Sequence, residues 1–105
     1  MVKLGTVVLI IDDHHDTCLA IERLIKACGL AAKCVTDPQI GIAFLRSNPL
    51  PTLVVLDDMM PDMSGIEVLE QLKADPRLCH IPVVMHSASA EDDRVERAAE
   101  LGAIG

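Results

Sequence analysis

Apolar residues along this chain follow two rhythms. Short unbroken runs, such as Val-Val-Leu-Ile-Ile at 7–11 and Leu-Val-Val-Leu at 53–56, end in acidic residues. Between them lie longer stretches in which apolar residues return every third or fourth position. An apolar run without polar alternation is the pattern of a strand buried on both faces, as in a parallel sheet, whereas the longer period predicts amphipathic helices. On this basis strands are predicted at 7–11, more weakly at 31–35, at 53–57 and at 83–86. A first helix is predicted over 16–28, with Ile21, Leu24, Ile25 and Cys28 on its inner face and Gly29 just beyond its end. Asp37-Pro38 reads as an N-cap followed by proline at the first helical position, opening a helix to about Ser47 with Ile42 and Leu45 inward. A third helix is predicted over 65–73 with Ile66, Leu69 and Leu72 inward, and a fourth from Ser89 or Glu91 to Leu101, stopped by Gly102. Prolines at 49, 51, 76 and 82 mark loops, and no repeat or linker divides the chain.

Four strands alternating with four helices predict one α/β domain over residues 1–105, a doubly wound parallel sheet with helices on both faces. Ligands of such sheets bind at the carboxyl ends of the strands. Here those ends carry Asp12-Asp13, Asp57-Asp58 and Ser87, so separate strand tips deliver four carboxylates and a hydroxyl to one edge.

Composition narrows what that edge can do. The 105 residues carry a net charge of −7, which argues against nucleic-acid binding and against anionic membranes. Half the residues are hydrophobic and Phe44 is the only aromatic, so the core is aliphatic. The four cysteines, Cys18, Cys28, Cys34 and Cys79, form no Cys-x-x-Cys pair and are expected to be reduced, packed thiols; Cys28 with Cys34 is the one disulfide weighed, and it is not favoured. Neither a signal-peptide layout nor an apolar segment near the ~20 residues of a membrane span is present, and a cytoplasmic location is expected.

Clustered hard oxygen donors suit magnesium, which keeps several waters and takes one or two protein carboxylates. A further carboxylate can act as nucleophile toward a phosphoryl group, since aspartyl phosphate is an established covalent intermediate. These parts fit phosphoryl transfer onto an aspartate. The chain at this point resembles the receiver domains of two-component response regulators. The resemblance rests on Val8-Leu9-Ile10-Ile11-Asp12-Asp13, on the block from Leu53 through Asp57-Asp58-Met59-Met60-Pro61-Asp62-Met63-Ser64 to Gly65, on Ile81-Pro82-Val83-Val84-Met85-His86-Ser87-Ala88, and on Gly102-Ala103.

The resemblance implies a flavodoxin-like fold with strand order 2-1-3-4 and assigns roles. Asp57 would be the phosphoacceptor and Ser87 the switch hydroxyl. Magnesium would be held by Asp13, by Asp12 through water, by Asp57 and by the backbone carbonyl of Met59. The phosphoryl group would come from a histidine kinase or histidine phosphotransfer protein, and the domain would be a switch rather than a turnover enzyme.

Two positions and one missing segment depart from the family pattern. Asp58 stands where an apolar residue is usual and is expected to face solvent or cap a loop. His86 precedes the switch hydroxyl, where a structural histidine is expected. The family continues past Gly-Ala with a fifth strand bearing a lysine and a fifth helix, whereas the last lysine here is Lys73, so the domain is expected to be C-terminally incomplete and to self-associate through the fourth strand or first helix. A rival function of another class is a pseudo-receiver, an interaction module that keeps the acids without switching. His14-His15 beside the acids could form a metal cluster, but the later elements of metallophosphoesterases are missing, and the acid that dehalogenase-type phosphatases need two residues after the nucleophile is replaced by Met59 or His14. The two histidines are expected in the loop entering the first helix, partly exposed.

Overall fold

The computed structural model describes residues 7–47, 49–86 and 92–103. The strands are β1 (Val7–Ile11), β2 (Ala31–Val35), β3 (Leu53–Asp57) and β4 (Val83–His86), and the helices α1 (His15–Ala27), α2 (Pro38–Ser47), α3 (Gly65–Ala74) and α4 (Asp92–Glu100). The sheet is parallel throughout, in the order β2-β1-β3-β4. This is the flavodoxin-like order expected from the sequence.

Side chains alternate across a strand, so each run divides between two layers. Leu9 and Ile11 of β1, Val54 and Leu56 of β3, and Val83 and Met85 of β4 face the larger core with Ile42 and Leu45 of α2 and Val68, Leu69 and Leu72 of α3. Val8 and Ile10 face the other way, toward Cys18, Ile21 and Ile25 of α1. β1 is therefore apolar at every position, as a two-sided sheet requires.

Helix ends follow their chemistry. The Asp37 carboxylate accepts from the backbone N–H of Gln39 at 2.8 Å and of Ile40 at 3.2 Å, satisfying donors that have no partner within a helix. Gly29 and Gly102 both take positive φ, +87° and +88°, where a side chain is strained. Ser64 caps α3, its hydroxyl accepting from the Glu67 N–H at 3.2 Å.

Two expectations about α1 are corrected. Leu24 is 69% exposed rather than inward, and Cys28 is exposed. The buried stripe runs through Cys18, Ile21 and Ile25, and Leu24 lies about 100° around the helix from Ile25. The thiols are not all free either. Cys18 of α1 is bonded to Cys34 of β2, their Cα atoms 5.7 Å apart, while Cys28 and Cys79 are free cysteines. The packing of α1 over β2 selects that partner, since Cys18 lies on the inner stripe and Cys28 beyond it. Among the described residues no helix is long and apolar enough to cross a membrane.

Candidate functional site

Register builds the acidic edge. Ile11 of β1 lies beside Leu56 of β3, so the next residues, Asp12 and Asp57, emerge side by side at the sheet's carboxyl end. Asp57 is in turn paired with His86 of β4. Continuing the alternation, Asp12, Asp57 and His86 fall on the face that carries Val8, Ile10 and Val55, whereas Asp58 falls on the opposite one. Adjacent acids are thereby sent to different tasks.

Asp58 is the structural acid of the pair. It is 3% exposed; its carboxylate accepts from the Ile66 N–H at 3.3 Å and its backbone carbonyl from the Gly65 N–H at 2.9 Å. It is thus a cap that ties β3 to the start of α3, the second of the two expected roles, and it does not face solvent. Gly65 is required there, because a Cβ would lie 2.5 Å from the Asp57 carbonyl oxygen and 2.8 Å from the Asp58 Cα.

Asp12 and Asp57 are buried, 1% and 4% exposed, and Asp13 is half-buried. The Asp57 carboxylate accepts a hydrogen bond from the Met59 N–H at 3.3 Å, which fixes the exposed Met59 beside it. Asp12 Oδ1 accepts from the His14 N–H at 2.9 Å. Among the described residues, Asp12 Oδ2, Asp13 Oδ1, Asp57 Oδ2 and His86 Nε2 are buried polar atoms without a hydrogen-bond partner. Such atoms are costly unless a further group satisfies them. His86 Nε2 does lie 3.2 Å from Asp12 Oδ2. His86 therefore lies at this edge, beside Asp12. His14 stands at the mouth, with Nδ1 3.2 Å from Asp13 Oδ1, 3.3 Å from Asp12 Oδ1 and 3.8 Å from Asp57 Oδ2.

The electrostatics reflect concentrated negative charge. Burial, reinforced by the charge of Asp12, pushes the Asp57 carboxyl up to about 6 from its ordinary 3.8, against the opposing Met59 N–H and His86. The charge of Asp13 and the hydrogen bond with Asp12 raise the His14 imidazole above its usual value. Asp12, Asp13, His14 and Asp57 each offer one ligand atom, all within 4.8 Å of one another. Three carboxylates that each keep one buried oxygen without a hydrogen-bond partner are a donor set that a divalent cation fits.

Of the residues singled out from sequence, Asp12, Asp13 and Asp57 are brought together, with the Met59 N–H beside Asp57, while Ser87 and Ala88 lie outside the described residues. Lys73 is remote, its Nζ donating to the Cys79 carbonyl at 3.0 Å. His14 and His86 were not expected to be site residues. For His86 the sequence offered only its place at the end of a predicted strand, its pairing with Asp57 being set by register; His14 had only its adjacency to the acids.

Comparison with known proteins accounts for this geometry. Residues 8–105 match the response regulator receiver domain family. The chain is 34% identical over 99 residues to the chemotaxis protein CheY of Pseudomonas aeruginosa, covering 93% of this chain and 79% of that protein. The fold superposes on a response regulator receiver protein from Pseudomonas putida with a TM-score of 0.90 at 19% identity, covering 98% of this chain and 84% of the other. It also superposes on the phosphorylated cyanobacterial phytochrome response regulator RcpA with a TM-score of 0.85 at 26% identity, covering 93% and 76%. With strand order, acidic edge and sequence in agreement, the chain belongs to the response regulator receiver domain family of two-component systems, whose members are phosphoacceptor domains.

Proposed function

We propose that Asp57 is the phosphoacceptor, that Asp12, Asp13, Asp57 and the backbone carbonyl of Met59 hold Mg2+, and that residues 1–105 constitute the receiver unit. The observation that carries this reading is the set of buried, donorless oxygens on Asp12, Asp13 and Asp57 at adjoining strand tips. Bound magnesium supplies positive charge that offsets the carboxylates and the incoming phosphoryl oxygens. The Asp57 carboxylate is held by the Met59 N–H, and a lone pair of that carboxylate is the nucleophile. A bond forms between the carboxylate oxygen and phosphorus while the nitrogen–phosphorus bond of a phosphohistidine donor breaks, and the donor's imidazole leaves. The donor is a histidine kinase or phosphotransfer protein, the partner class of the family.

The same reading makes Ser87 the hydroxyl that donates to a phosphoryl oxygen, and the domain a cytoplasmic switch rather than a turnover enzyme. The added charge of about −1.5 to −2 units is the signal. Self-association through β4 or α1 is part of the proposal, supported by the exposed Leu24 and by the position of β4 at one side of the sheet. Incubation with acetyl phosphate and magnesium tests the acceptor: the chain should gain one phosphoryl mass, Asp57→Asn should gain none, and Asp58→Asn should still be labelled. Absence of label on the unsubstituted chain would favour the pseudo-receiver alternative.

A further inference from the structure

Magnesium has no use for a nitrogen ligand, yet the mouth of this site carries one. His14 Nδ1 is 3.2, 3.3 and 3.8 Å from single oxygens of Asp13, Asp12 and Asp57. Ligand atoms held at about 2.1 Å from one ion are separated by about 3.0 Å along an octahedral edge and about 3.4 Å along a tetrahedral one. The imidazole nitrogen thus stands at ligand–ligand spacing from carboxylates of two residues, Asp13 and Asp12, with an oxygen of Asp57 a little farther off. The oxygens that would share the ion include Asp13 Oδ1 and Asp57 Oδ2, both buried and without a hydrogen-bond partner. The residue's backbone is held in place: the His14 N–H is bonded to Asp12 Oδ1 at 2.9 Å, and the residue caps the start of α1 in an extended conformation. His15, next in sequence, is not part of the cluster.

We propose that His14 is a nitrogen ligand of this site, making it a mixed carboxylate–imidazole site that takes a borderline divalent transition ion, of the zinc, cobalt or nickel class, more tightly than magnesium. The inference rests on the acidic site proposed above and adds to it the class of ion preferred. Imidazole suits zinc, cobalt, nickel and copper, whereas carboxylate and water suit magnesium, calcium and manganese. A nitrogen donor therefore raises affinity for the first group and does little for the second. A histidine that serves only as a counter-charge to the carboxylates has the opposite effect, since any cation must displace it.

The two roles separate by measurement. Binding of Co2+ and of Mg2+ is titrated calorimetrically on the whole chain in a Cys28→Ser background, which removes the exposed thiol as a competing ligand, and again with His14→Ala. Loss of a direct ligand should weaken Co2+ binding by roughly tenfold or more while Mg2+ binding changes by less than about twofold. A strongly shifted exchangeable imidazole proton should be present in the NMR spectrum of the Co2+ form and absent from that of His14→Ala. His14→Asn, which keeps a polar residue at the cap, should reproduce the loss and guards against an effect on folding. Unchanged Co2+ affinity, equal weakening of both ions, or tightening of either by His14→Ala would overturn the assignment. If Mg2+ binds and depends on Asp13 while Co2+ is indifferent to His14, the inference fails and the acidic site stands; if neither ion binds, both fail.

Discussion

At the scale of single residues the site is an unfavourable arrangement of charge, and its titration should report that. The Asp57 carboxyl is held up at about 6 by burial and by Asp12, so between 3.8 and about 6 the folded chain keeps a proton that the unfolded chain has released. Stability contributed by this group is therefore lost as pH rises through that window. The raised His14 acts in the same direction, its contribution present below its ordinary value and lost as pH rises through its folded one. In chelator, Asp57→Asn should stabilise the chain at pH 7.5 by on the order of 2 kcal/mol or less and have much less effect at pH 4. Thermal melts at the two pH values measure this, and an equal effect at both would refute the electrostatic origin. Millimolar magnesium should raise the melting temperature of the unsubstituted chain at pH 7.5 through binding to the folded state alone, and Asp13→Asn should remove most of that gain.

Elements position these residues through close contacts that can be broken singly. The start of α3 sits against the β3 tip at Gly65, where an added methyl meets the Asp57 carbonyl oxygen at 2.5 Å and the Asp58 Cα at 2.8 Å. Backbone cannot yield as a flexible side chain does, so Gly65→Ala should cost roughly 1–3 kcal/mol and slow acetyl phosphate labelling by displacing Asp57. A stable, normally labelled Gly65→Ala chain in urea titration and mass analysis would contradict this. On the opposite face, the Cys18–Cys34 bond spans 16 residues and ties α1 to β2. Closing a loop of that size removes unfolded-state freedom worth about 3 kcal/mol. Cys34→Ser should lower the urea midpoint under non-reducing conditions and make it insensitive to reductant; coincident midpoints for the two chains would show that the bond does not form in solution.

For the molecule as a whole, the two layers are unequally filled. The α2–α3 side holds most of the buried side chains, whereas on the α1 side Ile21, Ile25, Leu53 and Val55 are only partly buried and Leu24 is exposed. Among the described residues β4 pairs with β3 alone, leaving its outer edge able to template another strand. The 105-residue chain should self-associate at tens of micromolar, and because each copy carries a charge of −7, association should strengthen as salt screens the repulsion. Light scattering on a size-exclusion column decides it: a monomer at every ionic strength would exclude both proposed contacts, and dispersal by Leu24→Glu would locate the contact on α1.

Local rules acting on neighbouring residues determine much of this protein. Unbroken runs such as Val7–Ile11 require a strand with both faces covered, Asp37-Pro38 favours a helix start, and Gly29 closes one because its backbone turns to positive φ. Strands that end in acids place carboxylates at one edge, so Asp12, Asp13 and Asp57 are legible as a group in the sequence. What lies between elements was not legible, because register, helix rotation and crossing are set by packing over long separations. That is how Leu24 could be counted among inner residues and emerge 69% exposed, and how Cys18 rather than Cys28 came to meet Cys34. The division of labour between Asp57 and Asp58 follows from strand alternation, yet only the placement of α3 turned Asp58 into its cap. Likewise the pairing of Asp57 with His86 and the turn that brings His14 within 3.8 Å of Asp57 are products of the assembled sheet. Chain-local physics specifies which groups each strand tip carries, and the tertiary structure alone decides which of them share one electrostatic field.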